Sequence, residues 1–339
     1  QIHKETGATI YVSKLLGADY PHKTFDDGDS LSMGKLLFNA INTPGHSPDS
    51  ITIIATDKHG KNAMFTGDTL FVGDVGRPDL REKVGNMKAK REELASSMYH
   101  TIQSKYSHLS DDTLVYPAHG AGSLCGSNLG GESSSTLGNE RLTNWAFKNL
   151  TEEEFVKHLL SDQPFVPAYF GFDVATNKKG AANMAKNISK VPFRINLDHV
   201  GKDLLVVDTR DEKVFKKNHL PNSLNIMARN EDDKLETWLG SIIKPEERFY
   251  LVVDSVKNVR PLLERIAKIG YETQVEAVLT LANKPLESSP SIDFVDFKDH
   301  QERYTILDIR NRSEVREGKF FENAINIPLN ELKGSLDQI

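Results

Sequence analysis

Two stretches of this 339-residue chain repeat each other one hundred positions apart, and that spacing sets the scale of what the chain can fold into. Leu205-Val-Val-Asp-Thr-Arg210 matches Thr305-Ile-Leu-Asp-Ile-Arg310, and Ser223-Leu-Asn-Ile226 matches Ala324-Ile-Asn-Ile327 with one residue inserted between. A period of this length is a domain, not a solenoid turn, so the sequence predicts tandem domains. Each copy carries an apolar run that ends in an acid, and Phe249-Tyr-Leu-Val-Val-Asp254 is a further run of that kind. Runs without polar alternation suit strands buried on both faces, the pattern of a parallel sheet. Pro261–Ile269 reads as an amphipathic helix leading to a strand at Gly270–Val275. Pro285–Pro290 reads as a linker, and the second copy reaches Ile339 about halfway through the repeat.

Residues 9–120 follow a different pattern. Short strands are expected at Thr9–Val12, Leu36–Ile41, Ser50–Ala55, Ala63–Thr66 and Thr113–Tyr116, separated by Gly, Pro and Asp turns. Asp57-Lys-His-Gly60 predicts a hairpin, and a polar helix is expected from Lys88 to about Tyr106. Thr151–Leu160 reads as a helix with a capping box, because Glu154 stands three residues after the Thr151 cap. Gln1–Thr6 resembles the tail of a helix stopped by Gly7, and Leu329–Leu336 the start of another, so both ends read as cut. The Gly/Ser-rich stretches Gly120–Gly126 and Gly130–Thr136 predict a surface loop.

The charge balance narrows the function classes. Forty-two Lys and Arg against 48 Asp and Glu give a net charge of −6, and no basic block occurs, which argues against a nucleic-acid partner. No apolar run approaches the ~18 residues of a membrane helix. One cysteine, Cys125, excludes an intrachain disulfide and fits a reducing compartment, so a cytoplasmic protein is expected.

Three segments carry chemistry: Thr43-Pro-Gly-His-Ser-Pro-Asp-Ser50, Phe65-Thr-Gly-Asp-Thr-Leu70 and Val115-Tyr-Pro-Ala-His-Gly-Ala-Gly122. Each places one His or Asp just past a strand, in a Gly/Pro turn. Strand-end loops on a rigid sheet hold ligand geometry well. Imidazole and carboxylate suit zinc or ferrous iron. One such residue alone is usually turn or surface chemistry; three together make His46, Asp68 and His119 a candidate metal set. The remaining nine of the eleven histidines lack such frames and are expected in solvent.

Those motifs resemble the later motifs of the metallo-β-lactamase superfamily, with the glyoxalase II branch as the general relative. Gly73-Asp-Val-Gly-Arg-Pro-Asp-Leu80 and Pro117-Ala-His-Gly-Ala-Gly-Ser-Leu-Cys-Gly126 more narrowly resemble persulfide dioxygenases fused to rhodanese domains. The resemblance covers the whole chain. It implies an α/β fold: a metallo-β-lactamase αββα sandwich over residues 1–187, a rhodanese-like domain with a parallel sheet over 188–287, and the start of a second over 291–339.

It also implies one Fe(II) per chain, held by His46, Asp68 and a histidine from an upstream His-x-His-x-Asp-His cluster that the chain lacks. His119 would stand behind the iron. The reaction would take a low-molecular-weight thiol persulfide and O₂ to sulfite and thiol, in sulfide detoxification. Arg77, Arg141 and Cys125 are candidate substrate contacts: Arg77 for an anionic thiol or the pocket's order, Arg141 for the carrier's carboxylate, Cys125 as a partly exposed thiol near the metal. In the rhodanese-like unit Asp254 stands where a sulfur-carrying cysteine belongs, in a degenerate loop running to Arg260, so that unit is expected to be inactive and to serve packing or docking. A homo-oligomer is expected. The alternatives are a zinc-dependent glyoxalase II-type thioester hydrolase, with His119 as a ligand, and a sulfur-carrier scaffold without enzymatic activity.

Overall fold

A computed structural model describes residues 2–81, 91–120, 123, 125–126, 130–161, 163 and 165–339. Two compact units emerge, one of residues 1–166 and 174–180, the other of 167–173 and 181–339.

The first unit is built on a six-stranded mixed sheet. Its strands are β3 (Ser30–Met33), β4 (Leu36–Asn42), β5 (Ile51–Thr56), β6 (Asn62–Gly67), β7 (Leu114–Pro117) and β8 (Ser135–Thr136), in that spatial order. A separate pair, β1 (Tyr11–Val12) and β2 (Lys23–Thr24), runs parallel. The expected strands thus form within one or two residues of their predicted ends. The predicted hairpin closes where the Asp57 N–H donates to the Lys61 carbonyl, with Gly60 at φ +78°. One face of the sheet buries Ile54, Met64 and Val115 against the helices Arg91–His100 and Glu152–Leu160. Thr151 caps the latter with the full capping box, and Phe155 and Leu159 are buried on its inner side. The polar helix expected over 88–106 is regular from Arg91 to His100 and widens into a π-type turn at Thr101–Lys105; residues 88–90 lie outside the described residues. These residues supply one sheet and its helix layer of the sandwich.

The decisive topological fact for function is the pairing of β6 with β7. It is parallel, with Met64 opposite Val115 and Gly67 opposite Pro117. Every other pairing in this sheet is antiparallel. Two parallel neighbours release their C-terminal turns at the same sheet edge, so Asp68 and His119 emerge side by side.

The second unit holds a five-stranded parallel sheet in the order β11-β10-β12-β13-β9, with β9 Phe193–Leu197, β10 Leu205–Asp208, β11 Ser223–Asn225, β12 Phe249–Val252 and β13 Val275–Leu281. All four β12 residues are buried, as an unbroken apolar run requires. The strand expected at 270–275 lies instead at 275–281. Gly270, at φ +68°, ends the helix Val259–Ala267, and Tyr271 turns inward to donate its hydroxyl to the Ile243 carbonyl at 2.9 Å. The aromatic residue read as a strand member is therefore a turn anchor. His219 also departs from expectation. It is buried and stacked on Phe215, with centroids 4.2 Å apart, and its main chain pairs with Glu287 in the expected linker.

The hundred-residue repeat extends to atomic detail. Arg210 grips Asp208 with Nε to Oδ1 at 2.9 Å and Nη2 to Oδ2 at 2.7 Å, and donates to the Asn218 carbonyl. Arg310 repeats this on Asp308 and on the Gly318 carbonyl. Asn225 and Asn326 each donate Nδ2 to the two main-chain carbonyls of their own Asp–Arg pair. In the second copy the strands β14 (Leu307–Asp308) and β15 (Ile325–Asn326) pair in parallel, as β10 and β11 do. The expected terminal helix is short, Leu329–Leu332.

Asp208 is fully buried and Arg210 nearly so, so removing one partner strands the other's charge. Asp208→Ala is expected to destabilise the second unit by about 3–5 kcal/mol, read as a lower denaturant midpoint.

Asp173 gives a pH signature. Burial pushes its carboxyl up to about 6. The folded state therefore holds a proton between pH 4 and 6 that the unfolded state has released, so stability falls as pH rises through that window. Asp173→Asn removes this loss. Above pH 6 it is expected to melt higher by roughly 1–2 kcal/mol of stability, discounted for the group's partial exposure. Below pH 4 the two proteins should coincide.

Candidate metal centre

Three turns build the site. The first follows β4 and carries His46. Thr43 accepts its place from Ser50, whose carbonyl takes the Thr43 N–H at 3.0 Å, and Gly45 lies against Met98 with no room for a side chain. The second follows β6. Asp68 opens a small hairpin in which Leu70 pairs with Val75, and the Gly76 N–H returns to the Thr69 carbonyl. The third follows β7, where the Ala118 N–H donates to the Gly67 carbonyl and sets His119 beside Asp68.

The side chains converge on the Asp68 carboxylate. His46 Nε2 lies 3.4 Å from Oδ2, and His119 Nε2 lies 3.3 Å from Oδ1. Donor atoms of Asp68, His119 and Cys125 all fall within 4.8 Å of one another. His46 Nδ1 donates to the Arg77 carbonyl at 2.9 Å. A carbonyl only accepts, so Nδ1 carries a proton and Nε2 is the nitrogen that faces Asp68. That is how a metal-ligating imidazole is usually oriented. Two donors on one ion with bonds of about 2.1 Å stand roughly 3–3.4 Å apart. The donor set and its spacing fit a transition-metal ion.

Electrostatics shape the same cluster. Burial pushes the Asp68 carboxyl up, but the hydrogen bond from His119, the charges of both imidazoles and the Cys125 thiol outweigh it, and the net shift is down. The hydrogen bond to Asp68, helped by Cys125, lifts His119 to about 10. His119 is thus a proton-bearing donor to Asp68, and His46 faces the same carboxylate through Nε2.

The other sequence candidates fall as follows. Cys125 is close to the site but buried, at 9% exposure, where partial exposure was expected; its carbonyl accepts the Arg77 N–H and holds it inward. Ala121, Gly122 and Leu124 of its motif lie outside the described residues. Arg77 is 1% exposed, with its guanidinium on both Asp79 oxygens at 2.7 and 2.6 Å; it reaches His46 through its main chain. Arg141 pairs with Asp111 and donates Nη2 to the Tyr106 and Leu109 carbonyls. In the second unit Asp254 is exposed and accepts from Asn258 at 2.6 Å, and Arg260 pairs with Glu264 along its own helix.

Sequence reasoning missed a chain of buried hydroxyls. Thr69 and Thr52 each lie 3.1 Å from Thr43 Oγ1, and Thr52 lies 2.8 Å from the Tyr106 hydroxyl. Thr69 also donates to the Thr43 carbonyl, tying the turn of His46 to the turn of Asp68. Threonines in and beside strands look like ordinary β-formers, so only the register reveals the chain.

The rhodanese-like domain family matches residues 196–279. The solved structure of a metallo-β-lactamase from Staphylococcus aureus subsp. aureus COL superposes with a TM-score of 0.70 at 28% identity, covering 83% of this chain and 79% of that one. The chain is 31% identical over 173 residues to the mitochondrial persulfide dioxygenase ETHE1 of Homo sapiens, and 30% over 186 residues to that of Mus musculus. The chain resembles the metallo-β-lactamases in fold and carries a rhodanese-like domain over residues 196–279. The matches to the human and mouse proteins take in 51% and 55% of the chain, and 59% and 62% of those relatives. The rhodanese-like match takes in most of the parallel sheet, Asp208 included. Among the described residues no helix is long and apolar enough to cross a membrane.

Proposed function

We propose that the protein is an Fe(II)-dependent persulfide dioxygenase, converting a low-molecular-weight thiol persulfide, O₂ and water to the thiol, sulfite and two protons. The observation that carries this is the pairing of His46 Nε2 with Asp68 Oδ2 at 3.4 Å, with Nδ1 fixed on a main-chain carbonyl. It is supported by the similarity to persulfide dioxygenases. In this reading His46 and Asp68 would hold the ion, and a further imidazole would complete a two-His, one-carboxylate face. The iron would supply open coordination positions and the redox couple for oxygen transfer. The protein's own residues orient and charge the site. Arg77 holds the His46 ring through its carbonyl, and the His119 proton neutralises one oxygen of Asp68. Cys125 stands ready as a thiol contact for the substrate, with Arg77 and Arg141 as the cationic candidates. The single cysteine fits a reducing cytoplasm, sulfide detoxification supplies the physiological setting, and a homo-oligomer is the assembly this reading adopts.

The zinc hydrolase reading would place His119 on a second ion. The similarity to persulfide dioxygenases favours the first reading over it. The test is oxygen uptake by iron-loaded, full-length protein given glutathione persulfide. Sulfite equal to the O₂ consumed is expected. No uptake, with hydrolysis of a glutathione thioester instead, would overturn the reading.

A further inference from the structure

We infer that Glu140 and Asn144 are positioning residues of the metal centre: they clamp the tip of the Thr69–Arg77 hairpin, whose return limb fixes the His46 ring. This rests on reading His46 as a metal ligand.

Both residues belong to the segment that opens with the helix Leu137–Thr143, remote in sequence from all three ligand turns. Glu140 is fully buried and Asn144 is 1% exposed. Glu140 Oε2 accepts the Gly73 N–H and Asn144 Nδ2, each at 2.9 Å. Asn144 Nδ2 also reaches the Asp74 carbonyl at 3.1 Å and the Phe71 carbonyl at 3.4 Å. Trp145, next in sequence, donates Nε1 to Asp74 Oδ1 at 2.8 Å. The hairpin tip is thus gripped at Phe71, Gly73 and Asp74.

The return limb transmits that grip. Gly76 packs so closely that a Cβ there would lie 1.9 Å from the Asp68 carbonyl and 3.0 Å from the His46 Cβ. Arg77 follows at once and supplies the carbonyl that takes the His46 Nδ1 proton. A tip free to shift would carry this carbonyl with it, and the imidazole would lose the bond that chooses its tautomer. Among the described residues Glu140 Oε1 has no hydrogen-bond partner, so the carboxyl is buried half-satisfied, with its hairpin-facing oxygen engaged. Groups kept buried in that state call for an explanation, and holding Gly73 supplies one.

The experiment uses the full chain and two readouts. The first is the ¹⁵N NMR tautomer of the His46 ring in metal-free protein; the second is Fe(II) affinity by chelator competition. Glu140→Ala is expected to shift His46 away from the Nδ1–H form and to weaken Fe(II) binding ~10-fold, at the low end for residues behind a ligand. Glu140→Gln keeps an oxygen facing Gly73 and is expected to restore both. Should Glu140→Ala fail to fold, Asn144→Ala decides on the same readouts. An unchanged tautomer and unchanged affinity would overturn the inference. His46→Ala separates the underlying reading: if it binds Fe(II) as tightly as the parent, His46 is no ligand, and the tautomer alone then decides the role of Glu140.

Discussion

Asp68→Asn will purify folded but without stoichiometric metal, and will take up no oxygen with a persulfide. The substitution keeps the volume and removes one charge. Asp68 is the group on which both imidazoles converge, at 3.4 and 3.3 Å, so the amide deprives the centre of its only anionic oxygen pair among these partners. Changes behind a ligand cost roughly 10–100-fold in metal affinity, and loss of a ligand's charge should exceed that. Metal content after desalting, with a melting curve as the folding control, checks the prediction. Parent-like metal content would show that Asp68 is not a ligand.

Gly76→Ala is expected to be the most damaging single methyl group in the first unit. Its Cβ would meet the Asp68 carbonyl at 1.9 Å, and that atom is main chain held in the hairpin. Neither side can yield without displacing Asp68 or His46. Overpacking costs of about 1–3 kcal/mol, occasionally more, apply where side chains can adjust; here ~3 kcal/mol or more is expected, together with loss of metal. Gly131→Ala is the matched control, since among the described residues nothing lies within 4 Å of its Cβ. It should stay within about 0.5 kcal/mol of the parent. Equal melting temperatures for the two variants would contradict the close approach.

The turns that bring His46 and Asp68 together were legible because their grammar is local. Gly45 and Gly67 frame His46 and Asp68, and a strand of the right length precedes each. The Asp–Arg pairs were legible through repetition, which marks Asp208 and Arg210 without any knowledge of their contacts. What stayed hidden depends on register or on distant segments. The Thr43–Thr52–Tyr106 hydroxyls meet only once β4 and β5 are aligned and the helical segment lies over them. Glu140 reaches Gly73 across 67 residues of sequence, and its neighbour Arg141 drew attention by charge while binding the Tyr106 and Leu109 carbonyls. Tyr271 misled because a buried aromatic beside β-branched residues looks the same in a turn as in a strand.

One count bears most directly on the whole account: the metal per chain in full-length protein, measured by element analysis alongside the His46→Ala and Asp68→Asn variants. One iron in the parent and none in either variant is the predicted result. Two zinc ions per chain, or iron retained in both variants, would contradict it.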